Sequence, residues 1–162
     1  MSTTKRTLFT IGYEGLDLQS FIGLLHDAGV HTVLDVRELP LSRKKGFSKT
    51  AFSEALANCG IAYLHAPVLG CPKDIRVRYQ ADGDWGAYSK AFLAYLSTQT
   101  GSVLEVAKLA AATNICLVCF EADFTRCHRT YVAREARKLG APAIKHLTAE
   151  KAFPDLGYQA AA

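Results

Sequence analysis

The sequence predicts an α/β fold: a single three-layer domain in which helices cover both faces of a mostly parallel sheet of about five strands. Apolar runs of strand length alternate with helical segments along the chain, which is typical of βαβ units. Glycine-marked turns separate most segments, which favours short, right-handed crossovers. A length of 162 residues suits one hydrophobic core, so we expect one domain over 1–162, with its core at about 6–147 and a tail at about 148–162.

The first βαβ unit lies at the N-terminus of the chain. Arg6–Ile11 is an apolar, β-rich run, and Asp17 is placed to cap a helix that Gly29 ends. The next run, His31–Arg37, is almost continuously apolar. That pattern predicts a strand that is covered on both faces.

A basic loop and a second helix follow. Pro40 opens the loop, and Ser48 can cap the helix, because Phe47 and Phe52 have the spacing of a hydrophobic staple. Gly60 then ends the helix.

The third strand, Ile61–Ala66, leads into an irregular segment from Pro67 to Asp84. Glycine, proline and basic residues interrupt this segment, which is longer than most connections in compact domains. We therefore predict a functional or mobile lid there.

The C-terminal half repeats the alternation. Helical spacing predicts helices at Trp85–Leu96 and Val103–Ala112, and Ile115–Phe120 is the clearest strand of the chain. A helix from about Arg126 to Leu139 and a short strand, Ala143–Leu147, complete the pattern.

Composition narrows the class of protein. The formal net charge is +4, with basic clusters at Arg43–Lys49 and Lys73–Arg78. Such clusters suit small anions or weak nucleic-acid contact, but a solvated loop is the more common explanation of each. No apolar stretch approaches the roughly 20 residues of a membrane span, and no signal peptide opens the chain, so we expect a cytoplasmic protein. The five cysteines of such a protein are core fillers, ligands or nucleophiles rather than a disulfide framework.

Polar residues follow the carboxyl ends of the predicted strands, where ligands of open parallel sheets collect. They are, in chain order, Tyr13, Glu14, Asp35, Arg37, His65, Glu121 and His146. A carboxylate buried at Asp35 needs a partner, and Arg37 and Arg129 are the two candidates. An ion pair that fixes the loop and a group that faces a ligand both fit Asp35.

Cys127, His128 and Arg129 form the strongest local signal. They lie at the start of the last long helix, where free amide groups and neighbouring cations favour a thiolate. The pattern resembles cysteine phosphatases and sulfurtransferases only in part, because Ala133 stands where the phosphatase pattern has arginine. Cys127 is thus a candidate nucleophile, with an anion-binding helix start or a buried thiol as the alternatives.

Cys116 and Cys119 form a C-x-x-C motif, a spacing often associated with redox or zinc sites. Residues three apart on a strand point to opposite faces, so both thiols cannot face one metal. We expect both cysteines, together with Cys59 and Cys71, to be small core side chains. No clean ligand spacing supports a metal site, and we predict no metal and no cofactor.

An ordered series of short motifs runs through the chain and resembles the family catalogued as domain of unknown function 488. The resemblance covers roughly Leu8 to Leu147. The motifs are Thr10-Ile11-Gly12-Tyr13, Asp35-Val36-Arg37, Pro40, Ser42-Arg43, Tyr63-Leu64-His65, Leu69-Gly70, Cys119-Phe120-Glu121, Cys127-His128-Arg129 and His146-Leu147.

This resemblance implies a small α/β fold whose motifs gather at one pocket. The residues that it adds to the predicted lining are Ser42 and Arg43. Relatives of this pattern carry His-Ser where this chain has Tyr13-Glu14, and a second glycine where it has Cys71. If that histidine is catalytic in those relatives, this chain has altered or lost the step that it performs.

Two functions fit the sequence, and a fold that binds zinc through Cys127, His128 and either His65 or His146 is a third interpretation. The first is an enzyme, a hydrolase or transferase that acts on a phosphorylated or nucleotide-like small molecule. Its catalytic residues would be Cys127, His128, Asp35 and Glu121, and its substrate-binding residues Tyr13, Arg37, Ser42, Arg43, His65 and Arg129. The alternative is a non-catalytic module that senses a ligand or contacts nucleic acid through its basic loops.

Overall fold

A computed structural model describes residues 5–150 and 152–155. Within them one sheet has six strands in the order β3-β2-β4-β1-β5-β6. The strands are β1 (Leu8–Gly12), β2 (Thr32–Asp35), β3 (Ala62–His65), β4 (Ile115–Cys119), β5 (Ile144–Leu147) and β6 (Ala152–Pro154). All neighbouring pairs are parallel except β5 and β6.

Helices cover both faces of this sheet. They are α1 (Leu18–Ala28), α2 (Lys49–Asn58), α3 (Lys73–Asp82), α4 (Trp85–Leu96), α5 (Thr100–Ala112) and α6 (His128–Lys138). Buried side chains of α1 and α2 form one apolar core with the sheet, and those of α4, α5 and α6 form the other. The predicted α/β class, with helices on both faces of a mostly parallel sheet, is confirmed.

The segment from Pro67 to Asp84 differs from the prediction. We expected irregular structure, but the chain forms a short 3-10 turn at Pro67–Leu69 and then the whole of α3. None of the residues of α3 is buried, and its sequence has no apolar stripe. Such a stripe is the pattern from which helices are predicted, so this helix was not expected. The helix is held by ring contacts instead, since Tyr79 packs against Trp85 and Tyr88 of α4.

The tail contributes a strand that the sequence did not predict. β6 pairs antiparallel with β5 and covers the edge of the sheet. Asp155 follows β6 and accepts hydrogen bonds from Arg134 of α6, with 3.0 Å between donor and acceptor. Its carboxylate also lies 2.9 Å from the ring nitrogen of His146 on β5.

Two smaller predictions were wrong. The last helix begins at His128 rather than near Arg126, because Phe124–Arg126 forms a 3-10 turn and Cys127 caps the helix with extended backbone. Cys59, expected in the core, is exposed at the C-terminal end of α2.

None of the helices in the described part of the chain has both the length and the apolarity that a membrane span requires.

Candidate functional site

A cavity of about 490 Å³ opens at the carboxyl ends of β1, β2 and β4. The loops after these strands form one wall, and α3 with the start of α4 forms the opposite wall. The predicted site residues that line it are Tyr13, Arg37, Ser42, Arg43, Glu121, Cys127 and His128. Asp35, His65 and Arg129 are absent from the lining and contact residues behind it.

Asp35 and Arg37 form a buried ion pair at the end of β2. The carboxylate is completely buried, and its two oxygens accept hydrogen bonds from Nε and Nη2 of Arg37 at 2.8 and 2.7 Å. The hydroxyl of Tyr63 donates a further hydrogen bond to Oδ2 at 2.5 Å. Asp35 is therefore occupied by structural partners, which favours the ion-pair interpretation of this residue.

Arg37 is also largely occupied. Besides the two hydrogen bonds to Asp35, its Nη1 donates to the hydroxyl of Tyr13 at 3.2 Å and to the carbonyl of Phe47 at 2.7 Å. A guanidinium has five N–H groups, so one remains for a ligand. Burial acts to lower the pKa of Arg37, but the hydrogen bonds and charge of Asp35 outweigh it and the pKa is raised.

His65 supports this pair from the edge strand. A ring nitrogen lies 2.8 Å from the backbone carbonyl of Arg37, so the imidazole donates to it. His65 thus contacts the backbone of a lining residue, not the cavity.

Cys127 and His128 face the cavity together. The Sγ of Cys127 lies 3.9 Å from Nδ1 of His128, and Nε2 of the same ring lies 2.7 Å from the carbonyl of Val36. Because a carbonyl can only accept, Nε2 carries the proton and a neutral ring leaves Nδ1 free to accept one. The ring is thus oriented with its basic nitrogen toward the thiol.

Arg129 lies behind Cys127 and is fully buried. It donates through Nε to Thr10 at 3.2 Å, and through Nη1 to the carbonyl of Glu121 at 2.5 Å and to the sulfur of Cys119 at 3.5 Å. None of these acceptors is a carboxylate, and Nη2 has no hydrogen-bond partner among the described residues. A buried cation without a counter-charge is costly, so this guanidinium favours negative charge on the neighbouring sulfur atoms.

The thiols of Cys119 and Cys127 differ in their acidity. Burial raises the pKa of Cys119 well above its usual value. Burial acts in the same direction on Cys127, but the hydrogen bond from Cys119 and the charge of Arg129 outweigh it and lower the pKa to about 7. The lowered pKa of Cys127 agrees with the thiolate that the sequence predicts there, and the groups that lower it are Cys119 and Arg129.

Glu121 projects from the loop after β4. Desolvation raises the pKa of its carboxyl, and the nearby carboxylate of Glu14 adds to this effect, while Arg129 offsets part of it. A carboxyl group with a raised pKa at a cavity wall is a candidate for proton exchange with a ligand.

The opposite wall of the cavity was not predicted from the sequence. Tyr79 and Trp85 line it, and Trp85 stacks on Tyr88 with 4.6 Å between ring centroids. Arg76 of α3 lies there too, paired with Glu38 at 2.7 Å. The regular spacing of aromatic residues around Trp85 could have drawn attention to this wall, but only the position of α3 brings it to the strand ends.

Cys119, Cys127 and His128 bring their ligand atoms within 4.8 Å of one another. Two sulfurs and one imidazole nitrogen could bind a soft metal ion such as Zn²⁺ and leave one coordination position open. The buried charge of Arg129 beside both sulfurs opposes a second cation at this place.

His146, predicted at the same strand ends, lies away from the cavity. Its Nδ1 is 2.6 Å from the hydroxyl of Thr10, and its ring stacks on Phe124 at 4.1 Å. It therefore belongs to the packing between β1, β5 and the loop after β4.

A family model described as "Domain of unknown function DUF488" matches residues 17–136. The matched range is shorter than the range of the resemblance in the sequence: Tyr13, Glu14 and His146 lie outside it, and the other predicted site residues lie inside it. No curated protein and no solved structure matches the chain.

Proposed function

Since the chain belongs to the DUF488 family, whose description names no reaction, we propose a function from the geometry of its pocket: an enzyme that cleaves or transfers a group of a phosphorylated, nucleotide-like small molecule with Cys127 as nucleophile. The observation that carries the proposal is the pairing of Cys127 with His128. A nucleophile next to a base, with the base oriented by a third group, is the arrangement found in covalent catalysis. Here the third group is the carbonyl of Val36.

The proposed reaction has two steps. In the first, Nδ1 of His128 takes the thiol proton, and the sulfur of Cys127 attacks the phosphorus atom of the substrate. An S–P bond forms, the ester P–O bond breaks, and the leaving oxygen takes a proton from the imidazolium. In the second, water or an acceptor alcohol attacks the phosphorus, the S–P bond breaks, and the thiolate is restored.

Arginine side chains support the choice of an anionic substrate. Arg43 and Arg126 line the cavity, are exposed and have no ion pair among residues 5–150 and 152–155. Arg37 contributes its remaining N–H, and Arg129 contributes charge from behind the sulfur atoms. Guanidinium groups bind phosphate oxygens in a planar, bidentate manner.

The aromatic wall supports a substrate with a planar ring. Tyr79 and Trp85 are partly exposed toward the cavity, opposite the arginines. Base–aromatic stacking is worth about 1–3 kcal/mol, so a nucleobase on this wall would add affinity to that of its phosphate. Glu121 lines the same cavity, and we assign to it the removal of a proton from the attacking water in the second step.

Turnover of a panel of nucleoside monophosphates tests the proposal, with release of inorganic phosphate as the readout. We expect Cys127→Ser to lower kcat/KM at least about 100-fold and His128→Asn to lower it by a similar factor, as loss of a nucleophile or its base does. Cys59→Ser is the matched control, because Cys59 is exposed at the far end of α2 and should leave activity unchanged. Equal activity of Cys127→Ser and the wild-type protein would contradict the nucleophile role.

Protection of Cys127 tests the binding part of the proposal separately. Its alkylation by iodoacetamide should rise with pH around a midpoint of about 7 and should slow in the presence of inorganic phosphate. Protection by phosphate without turnover of any nucleotide would leave the non-catalytic module as the function. If phosphate does not slow the alkylation of Cys127, neither the enzyme nor the non-catalytic module has an anion site at this cysteine.

Nucleic-acid contact receives less support from the basic clusters. Arg76 pairs with Glu38, Arg78 lies 3.6 Å from Asp82, and Lys44 donates to the carbonyl of Tyr13. These two ion pairs lower the charge that the Lys73–Arg78 cluster offers to phosphates, so this cluster should add little to the salt dependence of any DNA or RNA binding.

A further inference from the structure

The fold brings Cys119 and Cys127 together. In the sequence they belong to different motifs, the C-x-x-C motif and Cys127-His128-Arg129. Cys119 ends β4 and Cys127 caps α6, and the loop 120–126 turns the chain back between them. Their sulfur atoms lie within 4.8 Å of each other at the cavity wall, and each residue is 3% exposed. Both are free thiols.

We propose that Cys119 and Cys127 form a reversible disulfide when a hydroperoxide enters the cavity, and that this disulfide switches off the thiolate of Cys127. The proposal rests on the reactivity that the proposed function assigns to Cys127. It adds a redox-modification site, with Cys119 as the resolving cysteine.

The chemistry takes two balanced steps. The thiolate of Cys127 attacks one oxygen of the hydroperoxide, an S–O bond forms, the O–O bond breaks, and the leaving oxygen takes a proton to give water or an alcohol. The sulfur of Cys119 then attacks the sulfur of the sulfenic acid while the proton of the Cys119 thiol passes to the departing oxygen. The S–S bond forms, the S–O bond breaks, and the departing hydroxide takes that proton to give water.

The position of Cys119 makes it the resolving partner rather than Cys116. Cys116 belongs to the apolar core on the α1 and α2 face of the sheet, whereas Cys119 and Cys127 belong to the core on the opposite face. A Cys116–Cys119 bond would have to cross the strand, so the C-x-x-C motif does not act as a pair. Nη1 of Arg129 also hydrogen-bonds the sulfur of Cys119 and offsets part of the burial that raises the pKa of this thiol.

The charge of Arg129 indicates that the disulfide is readily reduced. Oxidation removes the negative charge that balances this buried guanidinium, whereas reduction restores it. Disulfides whose reduced form is stabilised in this way are oxidising, so a dithiol should reverse the modification completely.

Treatment of the full chain with one equivalent of hydrogen peroxide tests the proposal by peptide mass mapping. We expect a peptide pair joined through Cys119 and Cys127, loss of iodoacetamide labelling at Cys127, and recovery of both after dithiothreitol. In Cys119→Ser the sulfenic acid should persist on Cys127 and be trapped by dimedone, whereas Cys116→Ser should behave as the wild-type protein.

Each alternative result overturns the proposal in a recognisable way. A bond between Cys116 and Cys119, or oxidation of Cys127 to sulfinic acid with Cys119 still free, would show that Cys119 does not resolve the intermediate. The peptide mapping uses the wild-type protein, so its result does not depend on whether any variant folds. If Cys119→Ser is unstable, Cys119→Ala replaces it in the dimedone experiment.

The readout also separates this proposal from the proposed function. Alkylation of Cys127 with a midpoint near pH 7, phosphate release from nucleotides and no disulfide would overturn only the redox proposal. Resistance of Cys127 to both peroxide and iodoacetamide would overturn the thiolate chemistry as a whole.

Discussion

At the scale of single residues, two buried arginines have opposite surroundings. Arg37 is neutralised by Asp35 through two hydrogen bonds, so the pair is self-contained and shapes the end of β2. Arg129 has only neutral acceptors and a sulfur atom beside it, so its charge is available to a thiolate or a bound anion. We therefore expect Arg37 to act mainly in stabilising the fold and Arg129 to act mainly on the charge of the site.

The first residue-scale prediction concerns Asp35→Asn. Removing the carboxylate charge leaves the guanidinium of Arg37 buried without a counter-charge, so the free energy of unfolding should fall by about 3–5 kcal/mol. Urea unfolding followed by circular dichroism measures this loss. Glu54→Gln, a matched change of an exposed carboxylate on α2, should stay within about 0.5 kcal/mol of the wild type. Losses of similar size in the two variants would show that Asp35 is not the buried partner of Arg37.

At the scale of elements, the site depends on how closely the end of β1 approaches the loop after β4. A Cβ at Gly12 would collide with the backbone carbonyl of Glu121. That same carbonyl accepts the hydrogen bond from Arg129. The glycine therefore lets β1 and the loop after β4 meet at the distance that positions Arg129 beside Cys119.

Gly12→Ala tests this approach. The added methyl group must displace the Glu121 backbone, so we expect the free energy of unfolding to fall by more than about 2 kcal/mol and the midpoint for alkylation of Cys127 to rise above pH 7. Gly23→Ala on α1 is the matched control, because a Cβ there has no atom within 4 Å, and alanine in a helix should stabilise by about 0.5–1 kcal/mol. A Gly12→Ala protein with unchanged stability would contradict the close approach.

At the scale of the whole molecule, the last described residues join the far edge of the sheet to the helix layer. Asp155 contacts His146 of β5 and Arg134 of α6. Burial acts to raise the pKa of Asp155, but the hydrogen bonds from His146 and Arg134 outweigh it and hold the pKa well below its usual range. Burial lowers the pKa of His146, although Asp155 offsets part of this effect.

These two shifts predict how stability depends on pH. Both groups have a lower pKa in the folded than in the unfolded chain, so the unfolded chain binds more protons as the pH falls. Stability should therefore decrease below about pH 6.5, where unfolded His146 becomes protonated, and again below about pH 4, where unfolded Asp155 does. Urea unfolding at pH 7, 5 and 3 measures the trend.

The variant Asp155→Asn separates the contribution of the Asp155 carboxylate from that of His146. Asp155→Asn should lose on the order of 2 kcal/mol at pH 7 and should show less further loss between pH 5 and 3, since the group that titrates there is gone. Asp27→Asn, a change of an exposed carboxylate on α1, is the control and should keep the pH profile of the wild type. A wild-type protein that is most stable at pH 4 would contradict the sign of both shifts.

The local sequence determined the elements and their faces. Alternating and helical periodicities placed five of the six strands and five of the six helices, because a period of two or of 3.6 residues records which side of an element is buried. The same reasoning separated Cys116 from Cys119, which do lie in opposite cores. The motif Cys127-His128-Arg129 could be identified as a candidate site from sequence alone, because the start of a helix favours anions independently of the rest of the fold.

Only the tertiary structure decided which of these residues meet. Helix α3 and strand β6 carry no buried stripe of their own, and they form because α4 and β5 offer them partners. The proximity of Cys119 and Cys127 depends on the path of the loop 120–126 between β4 and α6. The choice of Arg37 over Arg129 as the partner of Asp35 depends on the strand order, because Arg129 lies against β1 and the loop after β4. Strand order is set by packing between residues far apart in the chain, and local periodicity contains no information about that packing.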